Sequence, residues 1–342
     1  MEQYQQLVET VLENANYRPN RTDSDTLSTF SQFHKIDLSK GFPLLTTKDM
    51  SGYRWNSLIH ELLWYFSGEH HIQNLKEHTK IWNAWADEDD NLETAYGRFW
   101  RRYPVPDESK HLDGEAWADE ETNWVNEEDG ELTIDQIQYV IDTLNDDNPD
   151  RSPNSRRLVI TPWHPANAEV SGLPPCHAML VLNVQDGKLN AHLTQRSGDI
   201  ALGIPFNIAC YALITQIIAE QTGFKLGEFA HTIVDAHIYC GKGERGEWYS
   251  ENIEELKQKV RDCEKPEEFL EVKEWIEENA PSEDEDEEGH DHVPGLLEQL
   301  SREPRQRPAM EIADKDLDEL KYEDFKLKGY NPHEGLSFSV AE

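Results

Sequence analysis

Asp186-Gly187 separates two runs of strand character, CHAMLVLNVQ and KLNAHLTQRS, and no other feature restricts the fold as much. Asp-Gly suits the positive-φ positions of a tight turn whose twist matches that of the flanking strands, so the two runs pair as an antiparallel hairpin. Pairing about that turn returns Gln195-Arg196-Ser197-Gly198-Asp199, at the end of the second arm, to the side of Cys176 at the start of the first. Directly downstream, PFNIACYALITQIIAEQTG reads as a long buried helix closed by Gly223.

Elsewhere, Leu7, Val8, Val11 and Leu12 form a helical stripe, TLSTFSQFHKIDL reads as a strand, and RWNSLIHELLWYF as a buried helix. Ile134, Ile137, Ile141 and Leu144 make a further stripe that Asn148-Pro149 ends. TIVDAHIYC resembles a buried strand. Residues 107–131 are acidic with little apolar periodicity. Residues 241–292 hold two amphipathic acidic helices and then SEDEDEEGHDH, which reads as a solvated loop. Both stretches are expected as insertions in one domain spanning residues 1–342.

The formal net charge of −36, from 68 acidic and 32 basic residues, points to a disordered acidic chain or to a folded one adapted to concentrated salt. Ten Trp, twelve Tyr and eleven Phe exclude the first. At molar salt the Debye length falls to about 3 Å, which screens the self-repulsion. The same field disfavours nucleic acid and anionic membranes as partners. Cys176, Cys210, Cys240 and Cys263 form no CxxC pair, so no zinc knuckle or dithiol site is expected. No signal peptide or membrane span is recognisable, and a halophilic cytoplasmic enzyme is the expectation.

Cys176 has two readings. It is a structural thiol, or a nucleophile whose pKa is lowered by Arg196 across the hairpin. Arg21 and the adjacent Arg156-Arg157 offer the forked donors that a phosphate ester needs, or simply aid solubility. Glu61, on the apolar helix, is either structurally paired or raised in pKa and suited to proton transfer. Asn207 begins the long helix either as a cap or as an amide whose donor and acceptor can read the edge of a planar base.

RTDSDTLS, FPLLTTK, IHELLW, NSRR, PPCHA, QRSGDIALGIPFNIACYAL, DAHIY and QLSREPRQRP occur in the order and approximate spacing of the thymidylate synthase family, which the chain resembles over nearly its whole length. The resemblance implies an α+β fold, a large mixed twisted β-sheet packed with helices. It implies reductive methylation of dUMP to dTMP, with methylenetetrahydrofolate giving both carbon and hydride and neither a metal nor a separate nicotinamide. Cys176 matches the nucleophile that adds to the sixth carbon of uracil. Arg21, Arg196 and Ser197 match phosphate binders, beside Gln195 in the same arm. Arg156 and Arg157 match a pair donated by the other subunit of a homodimer. Asn207 matches the uracil reader, and His237 and Tyr239 the residues at the ribose hydroxyl. Glu61 matches the proton relay, with Tyr96 and His177 in its network. Asp199 matches the pterin contact, Ile81, Trp82, Gly203 and Phe206 the folate cleft, and Lys48 the glutamate-tail site. Asn83 matches a further folate contact but stands where many members have Asp after the stacking Trp, Val234 stands where glycine is usual, and Glu342 where the terminus is commonly apolar.

Gly241-Lys242-Gly243-Glu244-Arg245-Gly246 fits a dinucleotide-binding pattern, but the rest of a parallel βαβ unit is not apparent, so it reads as a flexible loop. His70-His71 and His290-Asp291-His292 lack partners at metal-ligand spacing and read as solvated faces. Adjacent strand positions face opposite ways, which argues against a Cys176-His177 hydrolase. A pyrimidine-nucleotide hydroxymethylase is an alternative within the family fold, and a nucleic-acid-binding regulator an alternative outside catalysis. Asn207 argues against the first, because a carboxylate would suit cytosine better. The charge argues against the second.

Overall fold

A computed structural model describes residues 1–92, 95–105, 123–128, 131–146, 152–282 and 290–340. In chain order the first elements are α1 (Glu2–Asn14), β1 (Asn16–Arg18), β2 (Thr26–Asp37), α2 (Tyr53–Ser67) and α3 (Tyr96–Arg101). Next come β3 (Tyr103–Pro104), β4 (Val125–Glu128), β5 (Glu131–Ile134), α4 (Gln136–Asn145), β6 (Val159–Ile160) and α5 (Pro165–Val170). The centre is β7 (His177–Gln185), β8 (Lys188–Asp199), α6 (Gly203–Thr222) and β9 (Lys225–Tyr239). The chain continues through α7 (Gly243–Arg261), α8 (Phe269–Asn279), α9 (Val293–Leu300), β10 (Ala309–Ile312) and β11 (Phe325–Lys328).

The main sheet runs β1-β2-β9-β8-β7-β6. It is mixed, because β8 and β9 pair parallel while the other neighbours pair antiparallel. The β7–β8 hairpin turns at Asp186 (φ 51°) and Gly187 (φ 71°), both in the left-handed region that the Asp-Gly pair was expected to supply. Gln185 faces Lys188 across the turn, and His177 faces Gln195 at the open end.

A parallel βαβ unit is present after all, as β8–α6–β9, upstream of the glycine pattern rather than after it. Alternation marks a strand without revealing its direction, so the parallel pairing was not legible. α6 is buried almost throughout and ends at Gly223, φ 72°. Among the described residues it is the one helix long and apolar enough to cross a membrane, and 78% of that stretch is buried inside the protein. Ligands of open α/β sheets gather at the carboxyl ends of parallel strands. Here those ends are Asp199 and Tyr239, with the first turn of α6 between them in the chain.

Several sequence expectations need adjustment. Ile134 belongs to β5 rather than the helical stripe, because Asp135 caps α4 by accepting from Gln138 N at 2.9 Å. Asn148-Pro149 and most of the 107–131 insertion lie outside the described residues, and the described end of that insertion forms β4. The acidic stretch after 241 does fold as α7 and α8. Its closing residues His290, Asp291 and His292 are buried, not solvated. They return the chain to the sheet, since His292 N donates to Tyr239 O at 3.0 Å and Asp291 bridges Cys240.

Candidate active site

A cavity of about 520 Å³ opens at the carboxyl ends of β8 and β9. Cys176, the residue before β7, lies on its wall, and the β-hairpin holds it there. Arg196 N donates to Cys176 O at 2.9 Å, and the guanidinium donates to Pro175 O at 3.0 Å and Pro174 O at 2.6 Å. From the other side the buried Tyr96 hydroxyl accepts from Cys176 N at 2.7 Å. The predicted neighbourhood of Cys176 and Arg196 is therefore present. Its predicted consequence is not, because burial pushes the thiol above its ordinary range and Arg196 offsets this only in part. Two of the five guanidinium N–H groups are engaged by these carbonyl oxygens.

Glu61 lies on α2, and both of its readings hold. Trp82 Nε1 donates to Glu61 Oε1 at 2.7 Å, so the carboxyl is paired. Burial nevertheless raises its pKa to about 7, against the pull of Trp82 and Tyr65. A carboxyl of that pKa exchanges a proton readily at neutral pH.

Asn207 is not a cap. It sits beyond the first residues of α6, whose capping position is Leu202, and its Oδ1 accepts from Gln195 Nε2 at 3.0 Å. Gln195 Nε2 also donates to Ser197 O at 2.8 Å, and Gln195 Oε1 lies 3.0 Å from His231 Nε2. A carbonyl oxygen only accepts, so His231 Nε2 carries the proton. This chain fixes which end of the Asn207 amide is already engaged. Burial lowers the pKa of His177 to about 4, against the pull of the neighbouring Asn207, which keeps the imidazole neutral. Both Cys176 and His177 reach the cavity despite being sequence neighbours, because Cys176 precedes the strand and escapes its alternation.

Asp199 ends β8 and accepts from Ala201 N at 2.9 Å. Burial works to raise its pKa, but His292, His237 and the Ala201 amide together hold it below the usual range. His292 Nδ1 stands 3.8 Å from Asp199 Oδ1, too far for a hydrogen bond, so its pull is electrostatic. His292 Nε2 donates to Ser339 O at 2.9 Å, tying the C-terminal segment to this wall.

Arg21, Arg196, Ser197, His237 and Tyr239 line the cavity, as do Ile81, Trp82 and Gly203. Five predicted residues are not brought into the wall. Arg156 and Arg157 are exposed outside it, as is Asn83, and Phe206 packs against the core. Lys48 is buried, donates to Ala201 O at 2.6 Å and lies 4.7 Å from the Phe338 ring centroid. Burial lowers its pKa to about 7. Glu342 lies outside the described residues.

The wall also contains residues that sequence reasoning missed, among them Arg18, Tyr65, Trp85, Leu173, Asp235 and Val340. Arg18 pairs with Asp235 at 3.2 Å. Its position three residues before Arg21 could have flagged Arg18, whereas nothing in the sequence marks Leu173. Among the described residues no cluster of three or more His, Cys, Asp or Glu is placed to hold a metal ion.

The chain matches the thymidylate synthase family model over residues 2–342. It is 59% identical over 336 residues to a thymidylate synthase of Haloferax volcanii, covering 98% of this chain and 95% of that protein.

Proposed function

We infer the roles of the cavity residues from one premise: the chain belongs to the thymidylate synthase family. It methylates dUMP to dTMP, with methylenetetrahydrofolate as the co-substrate that supplies the one-carbon unit and the hydride. The observation that carries the residue assignment is the convergence of Cys176, Glu61, Asn207 and two arginines on one cavity.

Cys176 Sγ adds to the sixth carbon of the uracil ring, which leaves the fifth carbon electron-rich. Burial raises the thiol pKa and Arg196 works against this, so the thiol gives up its proton as the sulfur–carbon bond forms. Asn207 presents its amide to the uracil edge, with Gln195 and His231 fixing its orientation. Arg21, Arg196 and Ser197 bind the phosphate, while His237 and Tyr239 hold the ribose. Glu61, poised near neutrality, moves protons to and from the ring, with Tyr96 and His177 ordering its surroundings. Trp82 and Trp85 offer flat apolar walls and Asp199 a buried carboxylate. That set suits a pterin, whose ring stacks and whose N–H groups seek an acceptor. The hydroxymethylase alternative is not favoured, and Asn207 rather than a carboxylate faces the base.

We place the enzyme in the cytoplasm as a homodimer of single-domain subunits, with 107–131 and 241–292 as insertions. Arg156 and Arg157, exposed outside their own cavity, then serve the partner's phosphate site. Phe30 (85% exposed) and Phe33 (55% exposed) on β2, with Val234 on β9, support a sheet face that another subunit covers.

The test is to trap the complex with 5-fluoro-dUMP and methylenetetrahydrofolate, denature it and map its mass. A ternary adduct on Cys176 is expected from the native chain, and none from Cys176→Ser, which loses turnover but keeps its fold. An adduct elsewhere, or near-native activity in the variant, would sink the assignment.

A further inference from the structure

Among the described residues no parallel strand follows the glycine pattern at 241–246, so it does not open a βαβ unit. Its residues do something else. Gly241 (φ 79°) and Gly243 (φ 56°) let the chain leave β9 and turn at once into α7. At Gly246 a side chain would meet Asp25 Oδ2 at 2.9 Å, so the first turn of α7 lies directly against the loop between β1 and β2. That loop carries Arg21, the cavity arginine assigned above to the phosphate.

Lys242, between the first two glycines, spends all three ammonium donors on this loop. Its Nζ donates to Asn20 O at 2.7 Å, to Thr22 O at 3.1 Å and to Asp25 Oδ1 at 3.0 Å. Asn20 and Thr22 are the immediate neighbours of Arg21, so the ammonium grips the backbone on either side of it. Asp25 completes the arrangement by accepting from Asn20 N at 2.9 Å and from Tyr17 OH at 2.7 Å. The backbone adds further ties, with Asp25 N to Gly241 O at 2.9 Å, Cys240 N to Asp25 O at 3.0 Å and Gly241 N to Ser24 Oγ at 3.0 Å.

The far end of the α7–α8 excursion returns to the same place. Ser24 Oγ donates to His290 O at 3.3 Å. Arg245 donates twice to Asp291 Oδ2, at 2.9 and 2.7 Å, and Tyr249 OH donates to the same oxygen at 2.7 Å. The two feet of the excursion are thus locked together under the Arg21 loop.

We propose that Lys242 is a positioning residue for Arg21, and that the acidic α7–α8 excursion is a brace which preorganises the substrate-phosphate loop. The need follows from the charge of the molecule. A field of −36 repels a phosphate monoester, and the salt that screens the repulsion also screens the attraction of an exposed arginine. Long-range steering is then weak, and affinity depends on holding the guanidinium in place beforehand. Lys242 does so without facing the ligand, since it is absent from the cavity wall.

The proposal rests on Arg21 being a phosphate ligand, and the experiment separates the two claims. Steady-state kinetics in molar KCl compare the native enzyme with Lys242→Met, Lys242→Arg, Arg21→Ala and the Arg21→Ala/Lys242→Met pair. Lys242→Met is expected to raise KM for dUMP roughly tenfold, the equivalent of about 1.4 kcal/mol. Inhibition by inorganic phosphate should weaken in parallel, while kcat and KM for methylenetetrahydrofolate stay within about twofold. Lys242→Arg should recover part of the loss, and in the Arg21→Ala background Lys242→Met should add nothing. If Lys242→Met does not fold, Lys242→Gln, which keeps a donor, takes its place with a smaller expected shift. Arg21→Ala raising KM while Lys242 variants leave it unchanged would overturn the brace alone. An Arg21→Ala enzyme with native KM would overturn both claims. Equal losses for both substrates, or additivity in the double variant, would reduce Lys242 to a general structural role and overturn the proposal.

Discussion

At Glu61 the protein holds a carboxyl group whose pKa, about 7, burial has lifted from an ordinary 4.5. The same shift is a statement about stability. The folded state keeps this proton up to about pH 7, whereas the unfolded chain releases it near pH 4.5, so the stabilisation is complete below pH 4.5 and is lost as pH rises through 7. Glu61→Gln stays neutral throughout and can still accept from Trp82. It should cut kcat by roughly a hundredfold or more. It should also be more stable than the native chain at pH 8 by at most about 3 kcal/mol, and indistinguishable from it near pH 4.5. Urea unfolding at both pH values checks this, and a difference independent of pH would contradict the burial argument. The neighbourhood of Cys176 and Arg196 was readable because the hairpin register alone brings the two together. The protonation of Cys176 was not readable, since desolvation depends on packing from Tyr96 and other residues distant in sequence. For the same reason Lys48 was assigned to the ligand while the fold buries it beneath the site.

Among elements, the contact between α2 and α3 sets the position of Tyr65, Glu61 and Tyr96 together. Gly97 is its closest point. A Cβ there would stand 2.2 Å from Tyr65 O and 2.8 Å from the Tyr65 carbonyl carbon, both backbone atoms that cannot rotate away. Gly97→Ala should therefore push the helices apart, destabilise the protein by roughly 1–3 kcal/mol or more, and reduce turnover even where the protein remains folded. Thermal unfolding read beside kcat tests this, and a variant with native values of both would show that the helices separate freely. Helix periodicity placed α1 and α2 correctly because each has an apolar face long enough to read, and α6 was legible from its long apolar run closed by Gly223. The pairing of β8 with β9 escaped because direction is set by the α6 crossover, not by any strand residue. The burial of His290, Asp291 and His292 escaped because SEDEDEEGHDH has the composition of a surface loop. Only the tertiary return to Tyr239 and Cys240 shows otherwise.

For the whole molecule, the decisive question is whether one subunit completes another's site. Arg156→Ala and Cys176→Ser should each be nearly inactive alone. Mixed in equal amounts and allowed to exchange, they should regain about a quarter of the native sites, because half the dimers are hybrids with one undamaged site of two. If exchange is demonstrated by mass and activity stays absent, Arg156 does not act across the interface.

α6 has a further consequence at this scale. It touches β8, β9, α2 and α4, and its twenty residues contain a single charge, Glu220. The carboxylates that suit the protein to brine must therefore lie elsewhere, and the surface can be rewritten while the central cylinder and the residues hung from it stay as they are. A freshwater version of this catalyst is in principle an exercise in repainting its exterior. The acidic α7–α8 excursion, which also braces the Arg21 loop, is the part of that exterior that would have to be spared.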